Sequence, residues 1–404
     1  MLTTIFLDMN AYFASVEQQV RPSLRGRPVG IVATLTDYTC CIAASYEAKQ
    51  MGVKTGTGVR DARKLCPGIK IIEARPELYV RYHHQIVEAV ESCLHVDHVM
   101  SIDEMACRLM GTERAPENAI ALGHKIKRTI KAQVGDYLRC SVGIAPNRLL
   151  AKVASDMQKP DGLTVIKLED LPQKLYSLDL EDLPGIGKGM HARLERSGIK
   201  TVEALCALSK NQFVDIWQSV VGGQWFHELR GEDIITPPTQ RRTVGHSHIL
   251  PPALRHDEAA KAVLINLIHK AAVRLRHLGY WAAMMGVRVE HTGGEAVEDW
   301  EAKGALGHCQ DTQTMIEIFN RLWKSKTPGK PFAVSMVLYK LTPEAGATLP
   351  LFPADRLRGQ LARVMDSINT RFGKNTIYFS ELHGVKAAAP TRISFTQIPD
   401  FDIH

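Results

Sequence analysis

Apolar residues recur in two alternating rhythms along the first 165 positions of the chain. The run TTIFLDM (residues 3–9) is short, apolar and rich in strand formers, which predicts a β-strand. AYFASVEQQV (11–20) keeps its apolar residues at helical spacing as far as Pro22 and predicts a helix. RPVGIVA and CCIAAS predict two strands of a small sheet, and SYEAKQMGV a helix stopped by Gly52. RDARKLCPG predicts a short helix closed by Pro67 and Gly68, and PELYVRYHHQIVEAVESCL a long amphipathic one. HVMSIDEMACRLM predicts two strands around a tight acidic turn. NAIALGHKIKRTIKAQV then predicts a helix, RCSVGIA a strand, and NRLLAKVASDMQKPDG a helix that ends before Pro160. This alternation defines an α/β unit over residues 1–165, interrupted by an insertion at 18–75.

The rhythm then changes. Residues 166–231 are mainly helical. GEDIITPPTQRRTVGHSHILPP, rich in Pro, short polar residues and basic charge, predicts a linker centred on 232–245. Residues 246–342 carry a helix (DEAAKAVLINLIHKAAVRLRHLG), strands (AAMMGVRVEH, FAVSMVLYKL) and an intervening helix, the pattern of a compact α+β domain. From 343 to 404 come a loop (EAGATLPLFPADR), a last helix (RLRGQLARVMDSINTRFG) and an extended tail. The chain has no internal repeat and no low-complexity tract.

Composition narrows the class. At 404 residues the chain is long enough for two to four domains, and 45% hydrophobic content supports packed cores rather than disorder. A net charge of +7 is compatible with an anionic partner. Eight cysteines without CxxC spacing predict free thiols in a reducing compartment. There is no basic n-region with a long apolar run behind it, and no stretch long enough to span a bilayer. A cytoplasmic protein with no membrane partner is the expectation.

The chemistry starts at Asp8, a single carboxylate at the end of an apolar strand. Burying such a charge is costly without a partner or a metal. Asp103 and Glu104, in the turn SIDE, are the candidate companions. Three converging carboxylates suit Mg²⁺, a hard cation that prefers oxygen ligands. The competing readings are that Asp8 caps the helix beginning near Ala11 and that Asp103 only shapes its turn.

LDMNAYFASVE, SYEAKQMGV, SIDE, SVGIAPNRLLAKVASDMQKPDG and LPGIG occur in this order, and together they resemble the Y-family DNA polymerases, the translesion enzymes. The resemblance covers nearly the whole chain. It implies an α/β and α+β multidomain right hand: a palm (1–17 and 76–165), small fingers (18–75), a helical thumb with a helix-hairpin-helix (166–231), a linker (232–245), a C-terminal little finger (246–342) and an extension (343–404). The implied activity is template-directed addition of dNTPs to a primer 3′ end, at low fidelity and past damaged bases, with primer-template DNA as partner. Two Mg²⁺ ions are implied, with Mn²⁺ as a substitute, held by Asp8, Asp103, Glu104 and the carbonyl of Met9. Phe13 matches the position of a ring beneath the sugar that leaves no room for a 2′-OH, the group that separates RNA from DNA precursors. Tyr12 would support that ring or simply belong to the helix core. Tyr46, Lys49 and Lys159 match triphosphate contacts. Lysine at 49 replaces the arginine of many DinB-like members and so lacks the bidentate fork. Alone, either lysine would be an ordinary solvated side chain.

DLPGIGKGMHARLERSGIKTVEAL resembles a helix-hairpin-helix, in which Gly185 and Gly187 let backbone N–H groups and Lys188 meet a DNA phosphate. The alternative is a capped hairpin with no ligand. Arg241 and Arg242 would lie along duplex phosphates or stay solvated in the linker. TLPLF resembles a sliding-clamp binding peptide, with Leu349, Leu351 and Phe352 as anchors and Thr348 where Gln is usual; packing onto the last domain is the other reading. The C-terminal part resembles the UmuC, MucB and ImpB branch more than DinB. Its final residues depart from the UmuC ending, which leaves UmuD-type or recombinase partners open. A catalytically silent homologue acting as a DNA-bound scaffold is the alternative function, and it would be expected to lack the three carboxylates. A nucleotide cyclase on a related palm would carry a GGDEF-like turn, which is absent.

Overall fold

The computed structural model of the protein describes residues 1–234, 240–291, 298–348, 350–383 and 398. The described residues form two compact units, the first comprising 1–234 and 398 and the second 240–383.

The first unit opens with β1 (Thr4–Met9), α1 (Tyr12–Val20), β2 (Val29–Val32), β3 (Cys41–Ala44), α2 (Tyr46–Gln50), α3 (Val59–Leu65), β4 (Lys70–Glu73) and α4 (Pro76–Glu91). It continues with β5 (Val96–Val99), β6 (Glu104–Arg108), α5 (Pro116–Gln133), β7 (Cys140–Ala145), α6 (Arg148–Met157) and β8 (Leu163–Val165). A five-stranded sheet has the order β5-β6-β1-β7-β8, and a smaller sheet the order β3-β2-β4. All six residues of β1 are buried, because the strand lies mid-sheet between antiparallel β6 and β7. This explains why it is apolar apart from Thr4 and Asp8. α6 lies close on β7. A Cβ at Gly143 would stand 1.9 Å from the Ala151 carbonyl oxygen, so only glycine allows that approach.

Four helices follow: α7 (Lys188–Arg196), α8 (Val202–Cys206), α9 (Lys210–Trp217) and α10 (Val220–Glu228). Phe213, Trp217 and Trp225 share one core with Leu150 and Val153 of α6 and Phe6 of β1. Asn147 fastens this joint. Its side-chain oxygen caps α6 at Leu150 N–H, while its amide donates to the carbonyls of Glu228 and Glu232.

The second unit contains β9 (Thr243–Ile249), α11 (Asp257–His277), β10 (Tyr280–His291), β11 (Trp300–Cys309), α12 (Thr312–Trp323), β12 (Pro331–Pro343) and α13 (Pro353–Phe372). Its antiparallel sheet has the order β11-β10-β12-β9, with α11 and α12 packed on the core face. Arg276 of α11 binds Asp366 of α13 through Nε at 2.6 Å and Nη2 at 2.8 Å.

Four elements differ from the sequence-based expectation. Residues 243–249, expected as linker, form the strand β9. It is an edge strand, in which Val244 alone is buried and His246, Ser247 and His248 give it a polar, linker-like composition. β11 was not expected because only Trp300, Leu306 and Cys309 of its ten residues are buried. β4 and β8, of four and three residues, are too short to show a period. Among the described residues, no helix is long and apolar enough to cross a membrane.

Candidate active site

β1 and β6 run side by side, and the register pairs Asp8 with Glu104 directly across the strands. Met9 N–H donates to the Asp103 carbonyl at 2.8 Å, so the acidic turn is sewn to the end of β1. Asp8 does not cap α1. The N-cap position is Ala11, and no side chain caps that end. Ala11 has φ +48°, a left-handed backbone that a non-glycine residue rarely adopts, and it turns the chain sharply from the carboxylate strand into the aromatic helix.

Two ammonium groups reach the carboxylates. Lys152 Nζ lies 2.5 Å from Asp8 Oδ2, 2.7 Å from Glu104 Oε1 and 3.2 Å from Asp156 Oδ2. Lys159 Nζ lies 2.7 Å from both Asp8 Oδ2 and Asp156 Oδ1. Burial pushes the Asp8 carboxyl up, but the two lysines outweigh it and hold it below its ordinary value. Burial raises Asp103; the Ser101 hydroxyl, donating at 2.6 Å, opposes this, and the Asp8 charge adds to it. Burial raises Glu104 as well, against the pull of Lys152. The cluster therefore holds more negative charge than its setting accepts without cations. Among the described residues, no three His, Cys, Asp or Glu side chains are grouped closely enough to hold an ion. The donor set nonetheless fits a hard divalent cation: three carboxylates on adjacent strand ends, with two ammonium groups drawn to them.

The turn bearing Lys159 is anchored by Asn10. Its Oδ1 accepts from Asp161 N–H at 2.7 Å, and its amide donates to Ser141 Oγ at 3.0 Å. Ser141 in turn donates to the Gln158 carbonyl at 3.2 Å. Lys152 and Asp156 were missed in the sequence, although Lys152, Asp156 and Lys159 recur at helical spacing within one motif.

Tyr12 and Phe13 are each 3% exposed at the start of α1. The Phe13 ring stacks on Tyr79 of α4, with centroids 4.6 Å apart and planes at 14°. Tyr12 hydroxyl donates to the Tyr79 carbonyl at 2.6 Å, so Tyr12 fastens α1 to α4. On α2, Lys49 Nζ stands 4.7 Å from the centre of the Tyr46 ring. Burial raises the Tyr46 phenol; Lys159 opposes this, and Asp8 and Asp156 add to it.

The remaining candidates lie elsewhere. Gly185 has φ +103°, the left-handed region that favours glycine, and Gly187 is the N-cap of α7. Gly187 and Lys188 are exposed, and Ile186, between Gly185 and Gly187, is buried and anchors the turn. Arg241 and Arg242 precede β9; Arg241 repels Arg274 of α11, so positive charge collects there. Leu351 and Phe352 are exposed, at 79% and 65%, against the reading that they pack onto the domain. Leu349 lies outside the described residues. A shallow groove over the second unit's sheet is lined by Gly245, Ser247, Gly286, Arg288, Ser335 and Val337, and it was not read from the sequence.

Among solved structures, a Y-family DNA polymerase chimera matches 84% of this chain and 99% of its own length, with a TM-score of 0.71 and 23% identity. DinB from Sulfolobus solfataricus matches 83% and 98%, with a TM-score of 0.55 and 23% identity. The fold is that of the Y-family polymerases. In sequence, residues 7–156 match the impB/mucB/samB family and residues 241–351 the C-terminal domain of that family. A DNA polymerase IV of Moorella thermoacetica is 31% identical over 386 residues, covering 93% of this chain and 94% of the relative. A DNA polymerase IV of Shewanella baltica is 32% identical over 273 residues, covering 67% and 75%. The chain belongs to the impB/mucB/samB family and is a Y-family, DNA-directed DNA polymerase of the translesion class.

Proposed function

We propose that the protein extends a primer 3′ end opposite damaged as well as intact template bases, and that Asp8, Asp103 and Glu104 are its catalytic carboxylates. The observation that carries this is the cross-strand pairing of Asp8 with Glu104, with Asp103 tied to Met9 beside them and two lysines drawn to the group. On this reading the five-stranded sheet is the palm, residues 18–75 the fingers, 166–231 the thumb and the second unit the little finger.

Asp8, Asp103, Glu104 and the Met9 carbonyl would hold two Mg²⁺ ions, or Mn²⁺ in their place. Bound there, the ions would neutralise the triphosphate and stabilise charge on the attacking and leaving oxygens of an in-line displacement at the α-phosphate. Lys159 and Lys49 neutralise the remaining phosphate charge, and Tyr46 offers a hydroxyl to a phosphate oxygen. Lys152 balances Asp8 and Glu104. Phe13 lies under the sugar and excludes a 2′-OH. Gly185, Gly187 and Lys188 present N–H groups and a charge to a phosphate of the duplex. Arg241 and Arg242, with the glycine-lined groove, take further phosphates without reading sequence. Dbh DNA polymerase, among the similar structures, is described in an insertion ternary complex, which supports binding of this kind. Small residues of the fingers (Ala43, Ala44 and Gly56) leave the nascent pair loosely enclosed, which favours lesion tolerance. Leu351 and Phe352 would enter a hydrophobic pocket on a sliding clamp. Work on chromosomal DNA would place the protein in the cytoplasm.

The test is primer extension with Mg²⁺ and dNTPs on an intact template and on one with an abasic site. Extension past both is expected. No extension on the intact template would refute the catalytic assignment, and a full stop at the lesion would refute damage tolerance.

A further inference from the structure

Glu17 is a carboxylate with no exposed side-chain surface, placed where residues 18–75 leave α1. Its partner Arg75 stands where the chain returns into α4. Arg75 Nε donates to Glu17 Oε1 at 2.9 Å and Nη2 to Oε2 at 2.5 Å, a two-pronged ion pair that joins the two ends of the insertion. Tyr79 hydroxyl donates to Glu17 Oε1 at 2.9 Å. The ring of the same Tyr79 stacks on Phe13, and its carbonyl accepts from Tyr12.

We propose that Glu17 and Arg75 are positioning residues which act through Tyr79 to hold the Phe13 ring in place, so that the ion pair at the base of the insertion sets discrimination between deoxyribonucleotides and ribonucleotides. The inference rests on the reading of Phe13 as the ring beneath the sugar. Two stacked rings attract each other but slide easily, so stacking alone leaves the lateral position of Phe13 loose. Tyr79 is held at two points, its ring hydroxyl on Glu17 and its backbone carbonyl under the Tyr12 hydroxyl. A 2′-OH adds a single oxygen, and a ring excludes it only if the ring cannot shift by a fraction of an ångström. Glu17 can serve as the fixed point because the Arg75 fork satisfies its buried charge and fixes its orientation. Arg21 Nη1, 3.9 Å away, adds a looser positive charge.

The experiment is single-nucleotide incorporation on one primer-template, comparing kcat/KM for a dNTP and the matching rNTP in wild type, Phe13→Ala, Glu17→Gln, Tyr79→Phe and the Glu17→Gln/Tyr79→Phe double variant. Glu17→Gln keeps the shape but loses the charge, and Tyr79→Phe loses only one hydroxyl, so it carries the test if Glu17→Gln does not fold. Each is expected to lower the dNTP/rNTP ratio about tenfold, the size of one charge-assisted hydrogen bond, chiefly by improving rNTP use. The double variant is expected to lower it no further than Glu17→Gln alone, because both act through one link. A purely structural role would slow both substrates alike and leave the ratio unchanged. A wild-type ratio in Tyr79→Phe and in folded Glu17→Gln, with the ratio collapsed in Phe13→Ala, would overturn this proposal alone. A wild-type ratio in Phe13→Ala would overturn the sugar-gate reading and this proposal with it.

Discussion

Asp8 begins as an unexplained charge in an apolar strand, and its partners are now identified: Glu104 across the strand pair, and Lys152 and Lys159 within 2.7 Å. The convergence of Asp8 with Glu104 and Lys159 was legible because each sits in a short motif with its own local logic; the roles of Asp103, Phe13 and Tyr46 stand as proposals. Glu17 was not legible, since its partner Arg75 is 58 residues away and only folding brings them together. The same holds for His83, which is buried on α4 and whose Nδ1 donates to the Ile102 carbonyl at 2.8 Å, next to Asp103. Burial lowers the His83 pKa to about 4, with His84 adding to it against the Ile102 hydrogen bond. Below its ordinary value of 6.5 the unfolded chain takes up a proton that the folded chain refuses. The stabilisation from the neutral ring is therefore complete above pH 6.5 and lost as the pH falls toward 4. From pH 7 to 5 the loss is about 2 kcal/mol, and melting temperature measured against pH should fall less steeply in His83→Gln than in wild type. Equal slopes would contradict this. A second expectation at this scale concerns Lys152. Lys152→Met leaves Asp8 and Glu104 with one cation fewer, so without Mg²⁺ its melting temperature should be lower than that of wild type, and added Mg²⁺ should restore more of it.

Among the elements, the ones with a strong period were legible: β1, β7 and the long helices α4, α5 and α11. The short or edge strands β4, β8, β9 and β11 were not, because pairing on one side needs few buried residues. α6 carries Lys152 and leads into the Lys159 turn, so its seat on β7 governs the site. Gly143→Ala would drive a methyl into the Ala151 carbonyl and lift α6 away. A loss of about 3 kcal/mol or more in denaturant unfolding is expected, together with a large fall in extension rate. Unchanged stability would contradict the close approach. Asn147→Ala removes the α6 cap and its two bonds to the α10 end, with an expected cost of about 1–2 kcal/mol by the same measurement.

At the scale of the whole molecule, the order of five motifs along the chain made the polymerase architecture legible, whereas the linker boundary misled because an edge strand of His and Ser reads as loop. The exposed Leu351 and Phe352 give a prediction that needs the full chain. Replacing both with Ala should abolish stimulation of primer extension by a sliding clamp and leave unstimulated extension unchanged; stimulation retained in the double variant would contradict the docking role. The chemistry is assigned to the carboxylates at the ends of β1 and β6. The most direct test is the single-turnover rate of dNTP addition at saturating Mg²⁺ for wild type and Asp103→Asn, with primer-template affinity measured in parallel. A rate at least about 1,000-fold lower is expected in Asp103→Asn, with DNA affinity unchanged. A rate within a few-fold of wild type would sink the assignment.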